Sequence, residues 1–256
     1  MMPMNARITK IVDETPSTKT FFLDLTLDSK PGQFVMVWIR GVDEIPMSLS
    51  CPNAITVQRV GDATSALFKL KIGDSIGVRG PIGNGFTLSG KSILLIGGGV
   101  GAAPLAPLAE AARDEKIKVK TLLGAKIGDE LLFVKRFRGA GEIQTATDDG
   151  SKGHKGPVTE LVAELNLQDY DQIYSCGPEK MMHKVLNAAK NANMTPKTQL
   201  SLQRYIKCGM GICGTCCIDP SGLRVCVDGP VFSGDILVDS EFGRYARDAS
   251  GRKMKL

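Results

Sequence analysis

The sequence predicts an N-terminal antiparallel β barrel, then an α/β domain with a parallel sheet, then a small cysteine-bearing segment. Three observations carry this. Residues 1–89 hold short β-like runs with no helix-length periodic stretch between them. Residues 90–197 alternate β-branched runs with helical periods. Residues 198–256 gather five of the seven cysteines into a 19-residue window.

In the first part, "ARITKIV", "TKTFFLDLT", "GQFVMVWIR", "AITVQRV" and "DSIGVRG" are rich in β-branched residues and alternate in part. Turn pairs Pro31-Gly32, Gly61-Asp62 and Gly73-Asp74 punctuate them. Many short strands without helices suit a small barrel. In the second part, "SILLIG", "KVKTLLGA", "EIQTATDDG" and "DQIYSCG" read as strands, and "APLAPLAEAARDE", "PVTELVAEL" and "PEKMMHKVLNAAKNA" as helices. Leu105, Leu108 and Ala112 share one face of the first helix. Pro178 opens the last one, where its missing N–H costs nothing. "TQLSLQRY" leads into the cysteines, and the polar, basic chain after Phe232 is expected to drape over the surface.

Composition narrows the function classes. Of 256 residues, 43% are apolar and 23% charged, as in a soluble globular protein. The net charge is +5, aromatics are sparse, and the one basic run is Arg252 to Lys255, so no nucleic-acid partner is expected. The start has no apolar core of signal-peptide length. Residues 92–109 are uncharged over 18 positions, but four glycines and two prolines make them strand, turn and helix, and no membrane span is expected. Cysteines without a secretion signal suggest reduced thiols and a cytoplasmic location.

The cysteine segment reads "CGMGICGTC" and continues to Cys226. Cys208, Cys213, Cys216 and Cys226 form a C-x4-C-x2-C-x9-C arrangement. Its first part has the plant-type 2Fe–2S spacing, whereas zinc sites more often show two separated C-x2-C pairs. Gly209, Gly211 and Gly214 let the backbone wrap closely and aim N–H groups at sulfur. A 2Fe–2S cluster is the reading this favours, with zinc and redox-active thiols as the alternatives. Cys217 follows a ligand directly and is read as packing.

"IGGGVGAAP" follows a strand and opens a helix, and Gly97, Gly99 and Ala102 fit G-x-G-x-x-G/A. Alone this is a tight turn; in its βαβ context it suggests a pyridine nucleotide. Lys126 stands where a ribose-binding carboxylate is usual, so NADH and NADPH stay open. "SCGP", with Cys176, Gly177 and Pro178, falls at the carboxyl edge of the sheet, where ligands bind in open α/β folds. "IPMSLS" and "GPIGNGF" are unremarkable alone.

Together, in the order P-x-S, G-P-x-G-x-x-F, glycine turn, C-G-P and cysteine segment, these pieces resemble the ferredoxin reductase superfamily. Within it, "CGMGICGTCCIDPSGLRVCVDGPVF" resembles the electron-transfer subunits of dihydroorotate dehydrogenase B. The resemblance spans about residues 4–235. It implies FAD on the barrel (1–89), NAD(P) on the α/β domain (90–197) and a 2Fe–2S cluster on the last segment (198–256). By position it assigns Pro46, Met47, Ser48, Thr56, Val57, Gln58, Ala63 and Thr64 to the flavin. It assigns Gly98, Gly99, Val100, Gly101, Cys176, Gly177 and Pro178 to the nucleotide, with "TDDGS" (147–151) at the same cleft. Ile45 stands where the family carries an arginine before P-x-S, leaving Arg59 and Arg79 as candidates to replace it. Ala63-Thr64 replaces the family's Gly-Thr pair.

The implied partner is an FMN-bearing dihydroorotate dehydrogenase subunit, in a heterotetramer. Electrons would run from it through the cluster and FAD to NAD+, in pyrimidine biosynthesis. The alternative within the superfamily is a subunit of a ferredoxin:NAD(P) reductase or hydrogenase diaphorase. A zinc-stapled nucleotide-binding or redox-sensing module is the non-enzymatic alternative. No Ser-His-Asp set or carboxylate pair is present to assign as catalytic, and His154 and His183 read as surface residues.

Overall fold

The computed structural model describes residues 2–256. The first part forms β1 (Met4–Thr15), β2 (Thr18–Leu23), β3 (Phe34–Ile39), β4 (Asp43–Cys51), β5 (Ala54–Gln58), α1 (Asp62–Lys69) and β6 (Ser75–Ile82). The strands close into a barrel in the order β1-β2-β5-β4-β3-β6, with antiparallel neighbours. Alternation divides β3 between two cores. Val35, Val37 and Ile39 point inward with Ile8, Phe21, Ile55, Val57 and Val78. Phe34 and Met36 point outward and join a different cluster.

Two barrel elements escape the sequence reading. β4 contains "IPMSLS", whose proline and serines mask its strand character. α1 is eight residues long, too short for a helical period to declare itself. Thr64 starts it: its hydroxyl accepts the N–H of Val60 (2.9 Å) and Gly61 (3.0 Å) and donates to the Gly61 carbonyl (3.0 Å). Those are donors a helix start otherwise leaves unpaired.

The second part continues with β7 (Ser92–Gly98), α2 (Ala102–Asp114), β8 (Lys118–Ala125), α3 (Val134–Ala140), β9 (Glu142–Thr147), β10 (His154–Lys155), α4 (Val158–Ala163), β11 (Gln172–Cys176), α5 (Glu179–Asn191) and β12 (Thr198–Ser201). These strands are mutually parallel, in the order β10-β9-β8-β7-β11-β12. Ile93 to Ile96 of β7 are fully buried because helices cover both faces. Leu105 and Leu108 of α2 and Phe137 of α3 pack with Ile93 and Leu95. Leu161 of α4 and Val185 of α5 pack with Leu94 and Ile96. α3, unforeseen in sequence, is only seven residues long.

The sheet runs on past residue 197 into the cysteine-bearing part. That part holds β13 (Cys217–Ile218), β14 (Leu223–Arg224), β15 (Val231–Ser233), α6 (Gly234–Val238), β16 (Tyr245–Arg247) and β17 (Lys253–Lys255). β15 pairs antiparallel with β12 as the sheet's last strand. The chain after Phe232 does not drape loosely: Glu241 and Phe242 are buried, and Phe242 meets the His183 ring edge-on at 6.2 Å. Charge pairing explains the capture, since Glu241 accepts from Arg204 (3.0 Å) and Arg247 (3.1 Å). A third core joins all three parts: Phe34 and Met36 of the barrel, Met182 and Leu186 of α5, Leu200 and Leu202, and Cys216, Val225 and Cys226. Among the described residues, no helix is long and apolar enough to cross a membrane.

Candidate functional site: a nucleotide cleft beside a thiol loop

A cleft of about 1420 Å³ separates the barrel from the α/β domain. Single-ligand pockets usually measure about 300–1,000 Å³, so this one has room for two nucleotide-sized groups. Pro46, Met47, Ser48, Thr56, Gln58 and Thr64 line it from the barrel, and Gly98 to Gly101 and Cys176 to Pro178 from the sheet. Val57 instead points into the barrel core, and Ala63 packs against that core from α1. Alternation along β5 makes this unavoidable for Val57, since its neighbours Thr56 and Gln58 face the cleft.

Pro46 and Ser48 lie on the outer face of β4, opposite Met36 and Phe34 of β3. Ile45 packs with the barrel core, so no side chain reaches the cleft from the place where an arginine is usual. Neither proposed substitute supplies one. Arg59 stacks on Phe68 at 5.5 Å, and Arg79 is tied to Glu44 and to the Cys208 carbonyl. The cations that do line the cleft are Lys126, Lys180, Lys184, Arg204 and Arg247. Lys180 and Lys184 are one helical turn apart, directly after "CGP", and that spacing could have revealed them.

The glycines divide by role. A Cβ on Gly101 would lie 2.5 Å from the Cys176 carbonyl and the Gly177 Cα, and one on Gly98 would lie 2.6 Å from the Met181 sulfur. Gly101 lets two strand–helix turns touch backbone to backbone, and Gly98 makes room for the Met181 and Pro178 side chains. Gly99 has φ +54°, and a Cβ there would meet nothing within 4 Å. It is the position that leaves space for a ligand at the start of α2, whose unpaired N–H groups attract anions. Burial pushes the Cys176 thiol up to about 12, partly offset by a hydrogen bond with Ser201. Cys176 is therefore a neutral wall of the cleft and no nucleophile.

The expected ligand cysteines meet in pairs, Cys208 with Cys213 and Cys216 with Cys226. For Cys208 burial acts upward, but N–H groups of Cys213, Met210 and Ile212 outweigh it and bring the thiol down to about 6. Cys226 is pushed up to about 12 by burial and by the adjoining Cys216 thiol. The Thr215 hydroxyl donates to the Cys213 sulfur at 3.2 Å. As the side chains stand, no three His, Cys, Asp or Glu groups among the described residues converge as a closed metal cage. The donor set nevertheless fits an iron–sulfur cluster: thiols with amides aimed at them, on a loop turned by Gly209 (φ +65°), Gly211 (φ +77°) and Gly214 (φ +69°).

"GPIGNGF" serves this loop and not the cleft. Asn84 donates its side-chain amide to the Val227 (3.3 Å) and Asp228 (3.0 Å) carbonyls, holding the chain that follows Cys226. A Cβ on Gly83 would lie 2.3 Å from the Gly229 carbonyl oxygen. "TDDGS" contributes Asp148 to the cleft, while Asp149 accepts from Ser151 and stays in its own turn. His154 is half-buried against Glu160 at 2.6 Å.

Comparison with known proteins agrees with this geometry. A family model for the iron–sulfur cluster binding domain of dihydroorotate dehydrogenase B matches residues 203–238, and one for the oxidoreductase NAD-binding domain matches residues 95–187. The chain is 60% identical to a protein of Methanocella arvoryzae across all of both chains. It is 48% identical to one of Methanocaldococcus jannaschii over 98% of each. Both carry the name "Probable dihydroorotate dehydrogenase B (NAD(+)), electron transfer subunit". A solved NADH-dependent reduced ferredoxin-NADP oxidoreductase superposes with a TM-score of 0.81 at 31% identity, over 90% of this chain and 88% of that one. The FAD/NAD-binding domain of a Vibrio cholerae nitric oxide dioxygenase shares the fold, with a TM-score of 0.71 at 21% identity over 78% of this chain and 98% of that one. Fold and site thus define an oxidoreductase of the ferredoxin reductase type carrying an iron–sulfur segment. Within that class the chain belongs to the family of dihydroorotate dehydrogenase B electron-transfer subunits.

Proposed function

We propose that this chain passes electrons between an FMN-bearing catalytic subunit that oxidises dihydroorotate to orotate and NAD+, in a cytoplasmic heterotetramer. Labour divides along the chain as residues 1–89 for FAD, 90–197 for the dinucleotide and 198–256 for the cluster. When bound, the cluster carries single electrons, FAD handles one or two, and NAD+ takes a hydride.

The chain's own residues place these groups. Pro46 to Ser48, Thr56, Gln58 and Thr64 hold FAD against the barrel. The Ser48 hydroxyl lines the cleft and is placed to bond it. Gly98 to Gly101 open space for the dinucleotide at the start of α2, and Gly177 and Pro178 wall its other side. Lys180 and Lys184 supply positive charge beside it. Cys208, Cys213, Cys216 and Cys226 ligate the cluster.

One observation carries the reading: the thiol loop and the flavin-side wall share one face of the barrel. Gly209 packs on Met36, where a Cβ would lie 3.0 Å from Met36 Cγ, and Met36 is paired with Pro46 in the next strand. Adjacent strands lie about 4.8 Å apart, so cluster and flavin sites are neighbours. The test is a visible spectrum of anaerobically purified protein. Flavin and iron–sulfur bands that bleach with NADH support the reading, and a colourless zinc protein ends it. Orotate formation with an FMN-bearing dehydrogenase subunit tests the pyrimidine assignment. Failure with every such subunit, but activity with ferredoxin, would favour the ferredoxin:NAD(P) reductase reading to which the 0.81 superposition also points.

A further inference from the structure

Arg79 lies where the cleft wall and the thiol loop meet, and the flavin and nucleotide sites leave it without a role. It leaves β6 on the barrel's outer face, paired in register with Met36. Its side chain is 8% exposed. Two of its N–H groups grip Glu44, at 2.7 and 2.8 Å, and a further one donates to the Cys208 carbonyl at 3.1 Å. Glu44 lies two residues before Pro46 in β4, on the same face as Pro46 and Ser48. A planar guanidinium can make this three-way bridge, while an ammonium offers no such fork.

We propose that Arg79 is a positioning residue that clamps the first cluster ligand to the strand carrying the flavin motif and tunes the potential of the cluster, with Glu44 as its counter-charge. This rests on Cys208 being a cluster ligand. The clamp fixes the separation of the two sites, because Glu44, Arg79 and the Cys208 backbone form one hydrogen-bonded chain. It also places a buried cation beside a group that gains one negative charge on reduction. A cation there favours the reduced form, and an anion opposes it.

The two members of the pair must therefore act with opposite sign. Arg79→Gln removes the cation and is expected to shift the cluster midpoint to lower potential. Glu44→Gln leaves the cation unneutralised and is expected to shift it higher. Arg79→Lys, which keeps the charge but not the fork, is expected between wild type and Arg79→Gln. The measurement is an EPR-monitored redox titration of the full-length protein, with iron, acid-labile sulfide and FAD quantified for each variant. Wild type without iron and sulfide would sink the ligand assignment, and the proposal with it. Shifts in the same direction, or none in variants that keep their iron, would overturn the proposal. So would loss of FAD with an unmoved midpoint, which would return Arg79 to the flavin. If Arg79→Gln purifies without iron, the sign of the Glu44→Gln shift decides alone.

Discussion

Replacing Arg204 by Met is the sharpest test of how the tail and the thiol segment are held to the dinucleotide domain. The Arg204 side chain is 2% exposed and sits between Glu179, 11% exposed, and Glu241, fully buried. Its guanidinium donates to Glu179 at 2.5 and 3.1 Å and to Glu241 at 3.0 Å. Methionine keeps the length and removes the charge, leaving two carboxylates short of a partner. Breaking a buried pair from one side costs about 3–5 kcal/mol. The lower end applies here, because each acid keeps another donor. Glu241 retains Arg247 and the Asp219 N–H, each at 3.1 Å, and Glu179 retains the Gly243 N–H at 2.8 Å. In a chain this size each kcal/mol moves Tm by about 2–4 °C, so a fall of about 6–12 °C is expected in thermal unfolding. Neutralising both acids in the triple variant Glu179→Gln/Arg204→Met/Glu241→Gln should recover part of it. A fall below about 2 °C for Arg204→Met would refute the reasoning, because that is the scale of a solvent-screened surface pair.

The other predictions concern cofactors. Cys226→Ser is expected to lose most of the bound iron and sulfide while retaining FAD, and an unchanged iron–sulfur spectrum would remove Cys226 from the ligand set. Gly99→Val puts a branched side chain at φ +54° into open cleft space, so KM for NADH should rise roughly tenfold, about 1.4 kcal/mol. Unchanged kinetics would take that turn out of the site. Ser48→Ala deletes one hydrogen bond of about 0.5–1.5 kcal/mol, so FAD should dissociate roughly two- to tenfold more readily. Equal FAD retention by wild type and variant would count against the P-x-S contact.

Local patterns in the sequence were enough for the barrel strands, the alternating βα order and the iron–sulfur segment, because periodicity, turn residues and cysteine spacing act over a few positions. Short or disguised elements were not legible. α1 and α3 are under three turns long, and β4 hides behind a proline and two serines. Side-chain direction divided the expected flavin residues, sending Thr56 to the cleft and Val57 to the barrel core.

What only the tertiary structure decided is how distant polar groups pair. Arg79 looked available to replace the arginine missing before P-x-S until its fork met Glu44, 35 residues away, and the Cys208 carbonyl, 129 residues away. "GPIGNGF" was unremarkable alone until Asn84 was found holding the chain after Cys226. The polar tail looked solvated until Glu241 met Arg204. The chain by itself determined the fold class, the iron–sulfur segment and the family, since each is written in local patterns. Which charge binds a ligand and which binds the protein depends on what folding brings within about 3 Å, because a buried charge must find a partner and its chain neighbours do not name it.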